Sequence, residues 1–194
     1  MNFFSMALLA LSSVAAHAQT VTYQLDPAQS WVQFELLHFG TSTVRGRLGP
    51  ARGDITLQRD ASGAWTAGRA QVLLDAASID TGVKVFDARI HEADLLDAPG
   101  HPDIGLVAER FVFTADGRGV RELRGELTLR GRSLGLTLRA LRFACRHDAL
   151  RQAEVCGGDF EGEMLRSEVG ATFGLPFIAD RVRLLVQVEA LRRD

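Results

Sequence analysis

Between Leu123 and Phe143 apolar and polar side chains alternate with a period of two. Leu123, Gly125, Leu127 and Leu129 interleave with Glu122, Arg124, Glu126, Thr128 and Arg130. After Gly131-Arg132-Ser133 the alternation resumes with Leu134, Leu136, Leu138 and Ala140. This period puts every second side chain on one face of a strand. Two such runs joined by a short glycine-containing segment predict an antiparallel hairpin, apolar on one face and arginine-rich on the other. A lone hairpin is not stable in water, so the pattern demands a larger sheet folded over its apolar face.

The remaining chain repeats the pattern. A short strand around Tyr23 and Leu25 ends at Asp26-Pro27. Over 31–39, Val32, Phe34, Leu36 and His38 share one face, and Trp31, Gln33, Glu35, Leu37 and Phe39 the other. The Gly40-Thr41-Ser42-Thr43 segment turns this strand into 44–48, and Gly49-Pro50 breaks it. Ile55 and Leu57 mark a further strand, followed by longer ones over 65–75 and 103–113, with Asp116-Gly117 as a hairpin turn. Phe160, Gly162, Met164 and Arg166 fall on one face, and the last strand turns Val182, Leu184, Val186, Val188 and Ala190 inward.

One stretch departs from the strand period. Val83, Phe86, Ile90, Ala93 and Leu96 follow the three- and four-residue spacing of an amphipathic helix. Asp80 or Thr81 is expected to cap it, and Ala98-Pro99-Gly100 to end it. The prediction is a single all-β domain over 19–194 with eight or nine strands and one short helix. Closure into an antiparallel barrel removes aggregation-prone edges; a two-sheet sandwich is the alternative that periodicity leaves open. The helix is expected over the barrel mouth or against its outside.

Composition narrows the class. With 46% hydrophobic and 24% charged residues the chain is of ordinary globular type, and a net charge of −2 gives no case for nucleic acid. Residues 3–16 form an uncharged, mostly apolar run followed by Ala16-His17-Ala18, a small-x-small cleavage pattern, although no Lys or Arg precedes the run. Residues 1–18 therefore read as a signal peptide, and the mature chain as an exported, periplasmic protein without stable membrane insertion. Cys145 and Cys156 are the only cysteines, and export makes a disulfide between them the expectation. The bridge would close a small loop after a strand ending near Phe143. The histidines form no metal-binding cluster.

No hydrolase elbow, zincin pair or phosphate-cradling glycine loop is present, so no catalytic residue is assigned. Two polar residues stand in register with apolar ones: His38 after Val32, Phe34 and Leu36, and Arg166 after Phe160, Gly162 and Met164. A buried arginine needs a carboxylate, backbone carbonyls or an anionic ligand. Either both residues sit at strand ends where water reaches them, or they mark the polar end of an apolar cavity.

The ordered set Tyr23-x-Leu25-Asp26-Pro27, His38-x-Gly40, Val44-x-Gly46, Ser78-Ile79-Asp80-Thr81, His101-Pro102, Gly125-x-Leu127-Thr128-Leu129-Arg130-Gly131 and Arg166-Ser167-x-x-Gly170 resembles the YceI-like family. The resemblance implies an up-and-down, lipocalin-like barrel whose tunnel holds a long isoprenoid lipid, with its polar head near the mouth. Phe34, His38, Phe160, Gly162, Met164 and Arg166 are then the expected ligand-binding residues. No cofactor is expected beyond a bound isoprenoid lipid or isoprenoid quinone. The cysteine pair looks like that of a subgroup of the family. Leu48, and Glu168-Val169 after Arg166-Ser167, depart from its aromatic pattern. Carrier, structural protein and enzyme acting on a lipid or quinone head all share such a scaffold, and a homodimer stays open.

Overall fold

The computed structural model describes residues 18–193. The proposed signal segment lies outside them, apart from Ala18. Ten strands follow in order: β1 (Gln19–Leu25), β2 (Trp31–His38), β3 (Ser42–Leu48), β4 (Arg52–Arg59), β5 (Trp65–Asp75), β6 (Asp103–Phe113), β7 (Val120–Leu129), β8 (Arg132–Asp148), β9 (Ala153–Leu165) and β10 (Arg181–Arg193). A helix, α1 (Lys84–Ile90), lies between β5 and β6. Every strand pairing is antiparallel. The sheet order is β1-β4-β5-β6-β7-β8-β9-β10, and β1 also pairs with β10, which closes eight strands into a barrel. This settles barrel over sandwich.

The two additional strands, β2 and β3, are explained by β10. Its later part pairs with β1, from Ala190 opposite Leu25 to Arg193 opposite Thr22. Its earlier part pairs with β2, from Arg183 opposite Glu35 to Gln187 opposite Trp31. One long strand thus carries two short partners end to end. Between them Asp26-Pro27 breaks the chain, and the Asp26 carboxylate accepts from the Ala28 amide at 3.0 Å to start a 3-10 turn. Fully buried Ser30 fills the gap in the ladder: its hydroxyl donates to the Glu189 carbonyl at 3.1 Å and accepts from the Glu189 amide at 3.3 Å. The β2–β3 hairpin extends the wall toward one end, where Arg47 of β3 forms a bridge with Asp80.

The opening hairpin is as the alternation predicts. Leu123, Leu127 and Leu129 of β7 and Leu136 and Leu138 of β8 are buried, and their polar neighbours face out. The turn is Arg130-Gly131, both at positive φ (53° and 64°), as a two-residue hairpin loop with right-handed twist requires.

Two expectations change. β8 does not stop before the cysteines but runs to Asp148, so Cys145 and Cys156 are directly opposed residues of the β8–β9 ladder. The disulfide, with an S–S distance of 2.03 Å, staples a hairpin rather than a loop. The helix is shorter than its pattern: it ends at Ile90, its N-cap is Val83, and neither Asp80 nor Thr81 caps it. Thr81 instead donates its amide (2.8 Å) and hydroxyl (2.6 Å) to Asp87 in the first turn. Beyond Ile90 tight turns replace helix, with Asp97 at positive φ, and Arg130 Nη2 donates to the Ala93 carbonyl at 2.6 Å. A two-turn helix is marginal alone, and here side-chain contacts take the place of further helical turns.

Candidate ligand-binding cavity

The inward faces of the strands do not meet. They enclose a cavity of about 450 Å³, within the usual size of small-molecule sites. Its walls are overwhelmingly aliphatic and aromatic, with Val32, Phe34 and Leu36 from β2, Phe160 and Met164 from β9, and Val182, Leu184 and Val186 from β10. Tyr23, Ser30, His38, Arg89, Arg166 and Gln187 are the polar residues of the lining. Tyr23 lies toward one end and His38, Arg89 and Arg166 toward the other, while Ser30 and Gln187 sit between them, where β10 passes from β1 to β2.

At one end, reached by β1 at Gln19 and by the β4–β5, β6–β7 and β8–β9 connections, a polar cluster seals the barrel. Tyr23 Oη donates to Glu154 at 3.0 Å, and Arg59 Nη2 donates to the same carboxylate at 2.8 Å. Arg192 lies 3.6 Å from it, and the Arg59 guanidinium stacks 3.8 Å from the Trp65 ring centroid. Burial, then the Glu154 charge, raise the Tyr23 pKa well above that of free tyrosine. Burial pushes Glu154 upward too, but hydrogen bonds from Arg59 and Tyr23 and both guanidinium charges outweigh it and hold the carboxyl below its ordinary value. The Cys145–Cys156 bridge stands beside this cluster, and Cys156 lines the cavity. Because both sulfurs are bonded to each other, the Cys145-Glu154-Cys156 group is no metal centre.

At the other end lie α1, the turns that follow it, the 167–180 loop and the tip of the β2–β3 hairpin. Arg166, only 6% exposed, organises this end. Its Nε donates to Ala179 O (2.9 Å), Nη1 to Ala171 O (2.6 Å) and Phe173 O (2.8 Å), and Nη2 to Ile178 O (2.8 Å). A guanidinium has five N–H groups, so one, on Nη2, keeps no acceptor among the described residues. Burial lowers the Arg166 pKa and Asp180 partly offsets it; a guanidinium starts so basic that it stays charged. Asp180 accepts from the Ser167 hydroxyl (2.7 Å) and amide (2.8 Å), bonds that hold its carboxyl below its ordinary value. The Arg-Ser pair is thus the keystone of the 167–180 loop.

Of the residues singled out in the sequence, Phe34, His38, Phe160, Met164 and Arg166 line one cavity. His38 sits at the end of β2, bridged to Ile178 and edge-on to Phe39 with ring centroids 4.6 Å apart. Gly162 shares their face but not the lining. A Cβ there would lie 2.6 Å from the Thr137 carbonyl oxygen and 2.8 Å from Leu138, so this glycine allows β8 and β9 to close up. Its lack of a side chain reflects tight packing, not room. Leu48 is buried in the lining, and Val169 is buried with its carbonyl accepting from Arg130 at 3.1 Å. Sequence reasoning missed Ser30, Arg89 and Phe173. Ser30 had only its place before a strong strand to mark it, Arg89 lies in α1 outside the apolar stripe of the helix pattern, and Phe173 reaches the cavity from an irregular loop without periodicity.

The fold is a closed antiparallel β-barrel around an apolar cavity, with a polar cluster at one end and loops at the other. The sequence matches the YceI-like domain over residues 23–190, and the chain belongs to the YceI-like family. A UPF0312 protein of Vibrio vulnificus (strain YJ016) is 24% identical over 135 residues, 70% of this chain and 69% of that one. In fold the chain is similar to BcnA of Burkholderia cenocepacia, with 20% identity, TM-score 0.64 and coverage of 85% of this chain and 98% of that one. It is similar too to a polyisoprenoid binding domain from Saccharophagus degradans implicated in plant cell wall breakdown, with 16% identity, TM-score 0.60 and coverage of 88% and 98%. Among the described residues no helix is long and apolar enough to cross a membrane.

Proposed function

We propose that the chain is an exported binding protein that holds a polyisoprenoid, or a similarly long apolar chain, inside the barrel as a carrier or scavenger. The observation that carries this reading is the cavity of about 450 Å³ lined almost wholly by apolar side chains between two polar ends. A neighbour of the same fold is described as polyisoprenoid binding. Each buried methylene is worth ~0.8 kcal/mol, so a five-carbon isoprenoid unit gains about 3–4 kcal/mol gross. Several units offset the cost of ordering a flexible chain. The tail would lie along Phe34, Phe160 and Met164. A polar head, such as an alcohol, phosphate or quinone, would meet His38 and the spare Arg166 N–H at the looped end. The reading is of binding, not turnover: Arg166 and Asp180, the charged pair of the 167–180 loop, are already engaged in holding that loop. Export follows from the segment before Gln19 and agrees with a disulfide in the folded chain.

Native mass spectrometry of protein purified from its own host tests the proposal. The expected result is a mass increment that extraction identifies as an isoprenoid lipid, and its loss in Val186→Phe, which adds bulk to the lining without touching the ends. A protein that carries no lipid from the host and takes up none when offered would overturn it, leaving a barrel that acts through its surface.

A further inference from the structure

The looped end carries apolar side chains that the cavity does not need. Phe86 of α1 and Phe173 of the 167–180 loop line the cavity, yet are 47% and 45% exposed. A side chain that touches both cavity and solvent marks an opening, so the mouth lies between these two segments. Around it stand Phe39 (58% exposed), Phe177 (64%) and Val85 (69%), none of which lines the cavity. They belong to one surface. Phe39 stacks on Phe177 with centroids 5.8 Å apart, the Phe39 amide donates to the Phe177 carbonyl at 2.7 Å, and Arg89 of α1 lies 3.8 Å from the Phe173 ring centroid. Lys84, the only lysine of the chain, is exposed between Val83 and Val85 and has no ion-pair partner among the described residues.

We propose that this rim docks on a lipid bilayer with the mouth facing the membrane, so that the ligand passes between bilayer and barrel without entering water. The inference rests on the lipid reading above and adds the surface from which the lipid is taken. Every methylene of a chain of several isoprenoid units exposed to water on the way is unfavourable, which makes an aqueous route prohibitively slow. The mouth must therefore be covered by an apolar phase while the chain passes. The rim suits a bilayer better than a protein: its apolar groups are separate tips on a hairpin, a helix and a loop, which insert into a soft phase without a complementary surface. Lys84 is placed to meet lipid phosphate.

The test is flotation with phosphatidylcholine vesicles, with and without phosphatidylglycerol, together with transfer of a labelled long-chain isoprenoid from those vesicles. The unaltered protein is compared with Val85→Glu and with Phe39→Ser/Phe177→Ser, all at exposed positions outside the lining. The unaltered protein should float and extract the label. Each variant should lose about ten-fold or more in both, while taking up a short isoprenoid alcohol from solution as before. Flotation should strengthen modestly with phosphatidylglycerol through Lys84. Unaltered protein that fails to float yet takes up the short alcohol overturns docking and leaves the lipid reading standing. Uptake of no isoprenoid in any form overturns the lipid reading, while flotation and its loss in the variants still decide docking. Variants that float and transfer normally, or transfer that needs an added protein fraction, overturn the bilayer as the partner.

Discussion

The two ends of the barrel solve the same problem with opposite chemistry. Both must finish a tube of strands whose inner face is apolar. The sealed end does so with side chains from the strands themselves: Tyr23 of β1, Arg59 of β4, Glu154 of β9 and Arg192 of β10 meet over the floor, and a disulfide ties β8 to β9 beside them. The looped end does so with backbone, since four carbonyls of one irregular loop converge on the single guanidinium of Arg166. A floor of paired side chains on strands is rigid. The looped end depends on a single cation for most of its side-chain anchorage. The difference is between an end held by side chains of the strands and an end held by the backbone of a loop.

The largest expected effect breaks the looped end. Arg166→Gln removes most of the donors to four loop carbonyls and should lower stability by about 3 kcal/mol or more, seen in chemical denaturation. If stability stays within experimental error and only bound lipid is lost, Arg166 serves the ligand and not the loop. Next comes the staple. Reducing the disulfide should cost about 2–3 kcal/mol by the loop-entropy argument, with the fall in melting temperature matched by a Cys145→Ser/Cys156→Ser variant. Lipid content of the folded variant should stay unchanged, because the bridge belongs to the sealed end; loss of lipid would erase the contrast between the ends.

Gly162→Ala places a methyl against the Thr137 carbonyl and should cost about 1–3 kcal/mol. An alanine tolerated without loss would mean that β8 and β9 spread easily. Glu154→Gln sharpens the sealed end. Glu154 has a folded pKa below its unfolded value, so its contribution is present above the unfolded pKa, near 4.5, and is lost as pH falls through the lower folded value. The substitution should cost about 1 kcal/mol near neutral pH, after allowance for partial exposure, and should flatten the acid limb of the stability profile. Tyr23, raised when folded, works in the other direction: its contribution is present below pH ~10 and lost as pH rises toward its folded value. Smallest in stability is Val186→Phe, at about 0.5 kcal/mol if the cavity has room for the ring. A loss of several kcal/mol there would mean a filled core.

The strands were legible because one side of each is apolar. The hairpin of β7 and β8 and the inward face of β2 follow directly from alternation, β6 only loosely, and β10 with the exception of Gln187, which reads as outward but lines the cavity. So did the residues they aim inward: Phe34, Phe160 and Met164 lie on the cavity wall for the same reason that the strands formed. What escaped is what periodicity does not encode. The sequence around Cys145 alternates weakly because both faces of that strand segment are partly exposed, so β8 read shorter than it is. The helix pattern continued past Ile90 because Leu95 and Leu96 still reach the cavity, now from turns. Gly162 was expected among the ligand-binding residues because a one-letter code does not distinguish a missing side chain beside a void from one beside a backbone carbonyl. Arg166 read correctly as costly to bury, and backbone carbonyls proved to be its partners.

The hand-over of β10 from β1 to β2, pinned by Ser30, has a consequence for the depth of the tube. The ring of hydrogen bonds closes through β1, whereas the height of the wall beside the mouth is set by the β2–β3 hairpin, joined on one side to β10 and on the other by a bridge at Arg47 and Asp80. Residues added or removed at the Phe39-Gly40-Thr41 tip therefore change the depth of the tube without opening its circumference. Changes in hairpin length thus leave the closed ring of strands intact. A graded series of insertions at that tip would deepen the tube step by step while its circumference stays fixed.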